Sequence, residues 1–232
     1  MLNVKLDARL EAAARLVGEG TVADIGSDHA LLPIELVRRG TPRALASDIN
    51  EGPCERARIH VRAAGLTDKI TVKCCSGLDG IEEFAPDNII IAGMGGELIA
   101  SILGASDYPE KSGCRLILQP MTMHGELRRF LADGYRITHE TVVREGGKHY
   151  QLMAAVWDGE RRTFTDAELR LGALNLARAA ESPTDADRTW LEFIRKGALT
   201  RIRGREIAGI TDEAQTADRE LLDLVNKLLQ GV

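Results

Sequence analysis

Two carboxylates and the glycines beside them stand where an α/β chain could hold a small charged ligand. Asp24 and Gly26 belong to the stretch T-V-A-D-I-G-S-D-H-A that begins at Thr21. Its apolar run, 22–25, breaks at Gly26 and turns helical from about Leu32, which predicts strand, tight turn and helix. Glycine there lets backbone approach a ligand with no Cβ between them, and the free N–H groups opening the next helix favour a carboxylate. Asp48 closes a second apolar run, 44–49, which includes Ile49. An acid at the tip of that strand accepts hydrogen bonds from both hydroxyls of a ribose. The spacing G-x-G-x-x-G is missing, so a pyrophosphate-cradling dinucleotide site is poorly supported and a nucleoside ligand without phosphates fits better.

The elements that must position these residues follow in order. Leu6, Leu10, Ala13, Ala14 and Val17 recur at helical spacing, predicting an amphipathic helix over 5–17. A crossover helix ends at Gly40, and another runs to Ala64 before a strand at 70–75. The β-branched run 88–92 marks a central strand buried on both faces. Strands at 115–118, 135–143 and 150–157 follow, with Gly146-Gly147 making the last two a hairpin. Six parallel strands would place their carboxyl ends on one edge, where α/β proteins bind ligands. That edge gathers Gly26 to His29, Asp48 to Pro53, Ser76 to Asp79, Gly93 to Glu97, Gln119 to Thr122 and Arg144 to Tyr150. The opposite edge carries ordinary turns.

With 232 residues, 44% hydrophobic and 28% charged, the chain has the composition of a soluble protein. No apolar run approaches the roughly 20 residues that cross a bilayer, and the N-terminus from Met1 to Asp7 lacks the pattern of a secretory signal, so a cytoplasmic location is expected. Cys54, Cys74, Cys75 and Cys114 form no C-x-x-C pair, so structural thiols and no metal are expected. A net charge of −5 excludes a strongly basic nucleic-acid binder, though not a local basic patch.

From residue 158 the pattern becomes helical only, which divides the chain into an α/β domain, 1–157, and a coiled-coil-like extension, 158–232. Thr165 and Glu168 have capping-box spacing, Pro183 interrupts, and further helices are expected over 185–207 and after Asp212. Arg195, Lys196, Arg201, Arg203 and Arg205 fall in an acid-free run, equally readable as a solvated face or a phosphate contact. Arg128, Arg129, Arg144 and Lys148 are expected near the ligand edge and could extend that track.

The segments D-I-G-S-D-H-A, D-I-N-E-G-P, I-A-G-M-G-G and L-Q-P-M, in this order, resemble the bacterial tRNA (adenine-22-N1)-methyltransferase family. Leu31 departs from it, since many relatives carry Tyr after D-H-A. The resemblance implies a class I methyltransferase fold, a Rossmann-like seven-stranded sheet whose last strand is antiparallel, with an all-α C-terminal extension. It implies methylation of adenine N1 in tRNA, with S-adenosylmethionine giving S-adenosylhomocysteine and with no metal. On this reading Asp24, Gly26, Ser27, His29, Asp48, Ile49, Ser76, Gly77, Leu78, Ala92, Gly93 and Met94 hold the cofactor, Asp24 by orienting the turn or meeting the cofactor's amino end. Gly95, Gly96, Gln119, Pro120 and Tyr150, with the basic residues above, meet the tRNA. Where amino methyltransferases place an N/D-P-P-Y segment, this chain has Gly93-Met94-Gly95-Gly96, which disfavours exocyclic-amine methylation and suits close approach of a planar base. Asp28 is the candidate for stabilising the cationic product ring, its alternative being a helix cap. A small-molecule methyltransferase and a non-catalytic cofactor-binding regulator remain competing readings. No obligatory protein partner is evident.

Overall fold

A computed structural model describes residues 5–231. Residues 1–4 and 232, which the expected domain ranges include, lie outside the described residues, as does most of the N-terminus expected to lack a signal. One seven-stranded sheet forms the centre, in the order β3-β2-β1-β4-β5-β7-β6. β1 (Val22–Ile25) pairs in parallel with β2 (Ala44–Asp48) and β4 (Asn88–Gly95). β3 (Ile70–Cys74) flanks β2, and β5 (Arg115–Thr122) flanks β4, again in parallel. The long hairpin of β6 (Asp133–Glu145) and β7 (Lys148–Arg161) inserts β7 antiparallel between β5 and β6. Six parallel strands and one antiparallel strand match the expected fold class.

The central strands are apolar on both faces because helices cover both. On one side α1 (Ala8–Leu16) and α2 (Leu31–Arg38) pack Ala13, Leu32 and Leu36 against Val22, Ile90, Ile117 and Leu152. On the other, α4 (Gly96–Gly104) and α6 (His124–Leu131), separated in the chain by the short α5 (Tyr108–Ser112), pack Ile99, Leu103, Leu127 and Leu131 against Ile89, Ile91, Leu116 and Met153. α3 (Glu51–Ala64) lies over β2 and β3, its Ala57 and Val61 meeting Ala44 and Ile70.

α1 begins at Ala8, not near residue 5, because Asp7 caps it by accepting from Leu10 N at 2.7 Å. β7 continues past residue 157 to Arg161, following its pairing with β6, so the expected domain boundary falls within a strand. The first helix of the extension is two, α7 (Asp166–Leu171) and α8 (Ala173–Glu181), parted at Gly172 with φ +89°. A Cβ at Gly172 would sit 2.3 Å from a Glu140 carboxylate oxygen, so glycine is required there. α9 (Asp185–Ile207) spans the expected 185–207, and α10 (Glu213–Gln230) returns along it. Trp190, Leu191, Leu221 and Val225 pack on Val142 of β6, and thus the extension is seated on the sheet.

Candidate active site

The first turn is locked by its neighbour strand: the N–H groups of Gly26 and Ser27 both donate to the Ser47 carbonyl at 2.8 Å. Gly26 has φ +78°, and a Cβ there would stand 2.2 Å from Met94 Cε, so only glycine turns the chain here. Beneath it lies Asp24, buried, its carboxyl pushed up to about 6 by desolvation, against a Ser27 hydrogen bond and the Arg9 charge that lower it. A cleft opens above, lined by Arg9, Asp24, Gly26, Ser27, His29 and Gly93 among others.

Arg9 belongs to this cleft although it stands in none of the sequence motifs. It extends from α1, donates to Gln119 Oε1 at 2.8 Å, and lies over the Tyr150 ring at 5.9 Å. One signal was available: Arg9 falls three residues after Leu6 and four before Ala13, on the apolar stripe of its helix, where a cation needs a reason. Gln119 is fully buried and also accepts from Gly93 N at 3.1 Å. It therefore positions Arg9 and Gly93 and does not reach a substrate, correcting its expected role. Pro120 is likewise buried. The β4–β5 register shifts at Ala92 and Met94, which brings Gly93, at φ +82°, to the cleft.

Asp28 is half exposed beside this turn and accepts from Arg56 Nε at 3.1 Å, with His29 Nε2 3.2 Å away. It does not cap α2. That helix starts at Leu31 with Ala30 at its N-cap and no capping side chain. His29 stacks on His60, ring centroids 5.1 Å apart, and its Nδ1 is buried with no protein partner. Asp48 ends β2 and accepts from Asn50 N at 2.8 Å, which orients its carboxylate, with Ile49 exposed beside it. Ser76 and Gly77 follow β3, but the Leu78 side chain turns into the core and leaves only backbone at the edge.

Other expected substrate residues separate in space. Gly95 lies beside Thr122, whereas a Cβ on Gly96 would meet the Met123 carbonyl at 2.2 Å, so the space over Gly96 is filled by the chain and offers no room for a base. Arg128 is fully buried, bonding Glu140, Gln151 and the Leu169 carbonyl at 2.8 to 2.9 Å, so it cannot touch RNA. Arg129 pairs with Glu126 and lines a depression with Asp133 and Arg161, on the edge opposite the cleft. Arg201 and Arg205 turn inward onto buried Asp218, which also receives Arg170. Burial raises that carboxyl, yet the guanidinium groups of Arg201 and Arg170 hold it below the usual range. Arg144 and Lys148 on the hairpin, and Arg195, Lys196 and Arg203 on α9, are exposed and carry no ion pair among the described residues.

The donor set suits S-adenosylmethionine. A guanidinium and a buried carboxylate face one cleft, as an amino-acid tail requires; a strand-tip carboxylate suits a ribose; and an orphaned His29 Nδ1 has hydrogen-bonding capacity to spare. No group of side chains suited to a metal occurs among the described residues.

Residues 6–153 match the methyltransferase-domain family. The tRNA (adenine(22)-N(1))-methyltransferase of Bacillus subtilis is 37% identical over 177 residues, 75% of this chain and 74% of that protein. The chain belongs to the tRNA (adenine-22-N1)-methyltransferase family. The solved Bacillus subtilis M1A22 tRNA methyltransferase is 29% identical with a TM-score of 0.80, covering 98% of this chain and all of that one. A Streptococcus pneumoniae structure in complex with S-adenosyl-L-methionine is 33% identical with a TM-score of 0.77, covering 97% of this chain and all of that one. Both alignments run through the helical extension, so the family likeness includes the whole described fold and not the sheet alone.

Proposed function

We propose that this chain methylates N1 of adenine 22 in tRNA, using S-adenosylmethionine. The observation that carries the reading is the cleft lined by Arg9, Asp24 and the Gly26 turn, on the same sheet edge where Asp48 ends the neighbouring parallel strand. Arg9 takes the cofactor's carboxylate, Asp24 its ammonium, and Asp48 the ribose hydroxyls. The bound cofactor supplies an electrophilic methyl on a sulfonium.

What the protein adds is alignment and exclusion of water, which together are worth up to roughly 7–11 kcal/mol in favourable cases. Adenine N1 attacks through its in-plane lone pair, so the N–C bond forms as the S–C bond breaks and no prior proton removal is needed. The adenine ring gains the positive charge that the sulfonium loses. Asp28, fixed by Arg56, offers a carboxylate to that ring. The exposed cations of the hairpin and α9 attract the tRNA backbone.

The test is transfer from labelled S-adenosylmethionine to bacterial tRNA lacking the modification, followed by nucleoside mass spectrometry. The expected product is 1-methyladenosine, and primer extension on the labelled tRNA, which N1 methylation blocks, should stop at position 22. Cofactor binding with no labelled tRNA would overturn the proposal.

A further inference from the structure

Beyond the cleft, β7 presents a second arrangement. Consecutive residues of a strand point to opposite faces. Tyr150 faces α1, where Arg9 covers its ring, while His149 faces α9, where its Nε2 lies 3.0 Å from Thr189 Oγ1. One helical turn beyond Thr189 stands Phe193, its ring 5.7 Å from that of His149 and tilted by 38°. Phe193 is 63% exposed, although the same helix buries Trp190, Leu191, Ala198 and Ile202 almost completely. Packing therefore does not account for the ring's position.

Its surroundings are selective. Gly197, four residues on, has no side chain to cover the ring, and Lys196, three residues on, brings a cation without an ion pair. Thr200, Arg203 and Gly204 continue the stripe, which holds no acid; the nearest in sequence, Glu192, lies about 100° around the helix. Across the hairpin Arg144 pairs in register with His149, and cross-strand partners share a face. Burial, and then the Arg144 charge, hold His149 below its usual range, so it presents a neutral ring at pH 7.

We propose that Phe193 and His149 form a stacking platform for one unpaired nucleobase of the tRNA, with Lys196 and Arg144 meeting the flanking phosphates. Aromatic rings framed by free cations are how proteins take up single-stranded nucleotides. The inference rests on tRNA being the substrate and adds a contact on the sheet face opposite Arg9, so the RNA would be held at two places. One is the target adenine in the cleft. The other is a base outside it.

The experiment measures binding of an unmodified tRNA transcript to the full chain at several salt concentrations, with cofactor affinity as the control for folding. Phe193→Ala should weaken tRNA binding by about 5- to 150-fold, the fold-change equivalent of roughly 1–3 kcal/mol for a stacked base, with the salt slope unchanged. Phe193→Trp should restore binding and Phe193→Leu should not. Lys196→Ala should instead reduce the salt slope by about one. Wild-type affinity in Phe193→Ala or Phe193→Leu, with methylation intact, would overturn the platform alone. So would light scattering showing that Phe193→Ala dissociates a dimer without altering tRNA affinity, since the ring would then serve a second copy of the chain. An unaltered protein that neither binds nor methylates tRNA would overturn the platform together with the proposed function.

Discussion

Replacing Arg128 by methionine separates a structural cation from an RNA contact. Its guanidinium is fully buried and bonds Glu140 Oε1 through Nε at 2.8 Å and Nη2 at 2.7 Å, Gln151 Oε1 at 2.8 Å and the Leu169 carbonyl at 2.9 Å. Glu140 in turn accepts from Leu174 N at 2.9 Å, so the network ties α6 and the hairpin to the start of the extension. Arg128→Met leaves Glu140 as a buried charge with one backbone donor, and losing one partner of such a pair costs about 3–5 kcal/mol. At about 2–4 °C per kcal/mol for a chain of this size, the melting temperature should fall by roughly 6–20 °C. Arg128→Met with Glu140→Gln removes the stranded charge and should recover most of that loss. Urea and thermal unfolding followed by circular dichroism measure both. A single variant within about 1 kcal/mol of the parent that nevertheless loses tRNA affinity would refute the reasoning and return Arg128 to the RNA surface.

Asp24→Asn tests the buried carboxylate. Its pKa is raised from 3.8 to about 6, so between those values the folded state holds a proton that the unfolded state has released. Stability should therefore fall as pH rises from about 4 to 6 and then carry a penalty of about 3 kcal/mol, whereas Asp24→Asn lacks that slope; parallel profiles would disprove the assignment. Cofactor affinity should drop below pH 6 in the parent and be weak and flat in the variant, as isothermal titration reads. Arg9→Met should raise the cofactor KM by about 10- to 100-fold, as expected for a lost charged hydrogen bond, and an unchanged KM removes Arg9 from the cofactor site. Asp28→Asn should lower kcat by about 100- to 1000-fold with cofactor affinity retained, and unaltered turnover would exclude it from the chemistry.

The strands and their order of appearance were legible because each is a short apolar run closed by glycine, a polar turn or proline. The capping box of Thr165 and Glu168 is present with both hydrogen bonds. The gathering of unusual turns on one edge was also legible, since parallel strands leave no other arrangement. Element ends were less so: β7 and β5 outrun their apolar cores because pairing with a neighbour, not hydropathy, sets their length.

Local pattern determined the sheet, the Gly26 turn and the acid that ends β2, because strand, turn and helix each answer to residues a few positions apart. Tertiary structure alone decided what the charges do. Arg128 finds Glu140 twelve residues away, Arg201 finds Asp218 seventeen away, and Arg9 finds Gln119 one hundred and ten away. A run of basic residues therefore looks uniform in sequence, yet it divides into cations that bind the protein to itself and cations left for a partner. The physical reason is that a buried charge must be matched by a counter-charge or hydrogen bonds, and the fold places those partners without regard to their distance along the chain.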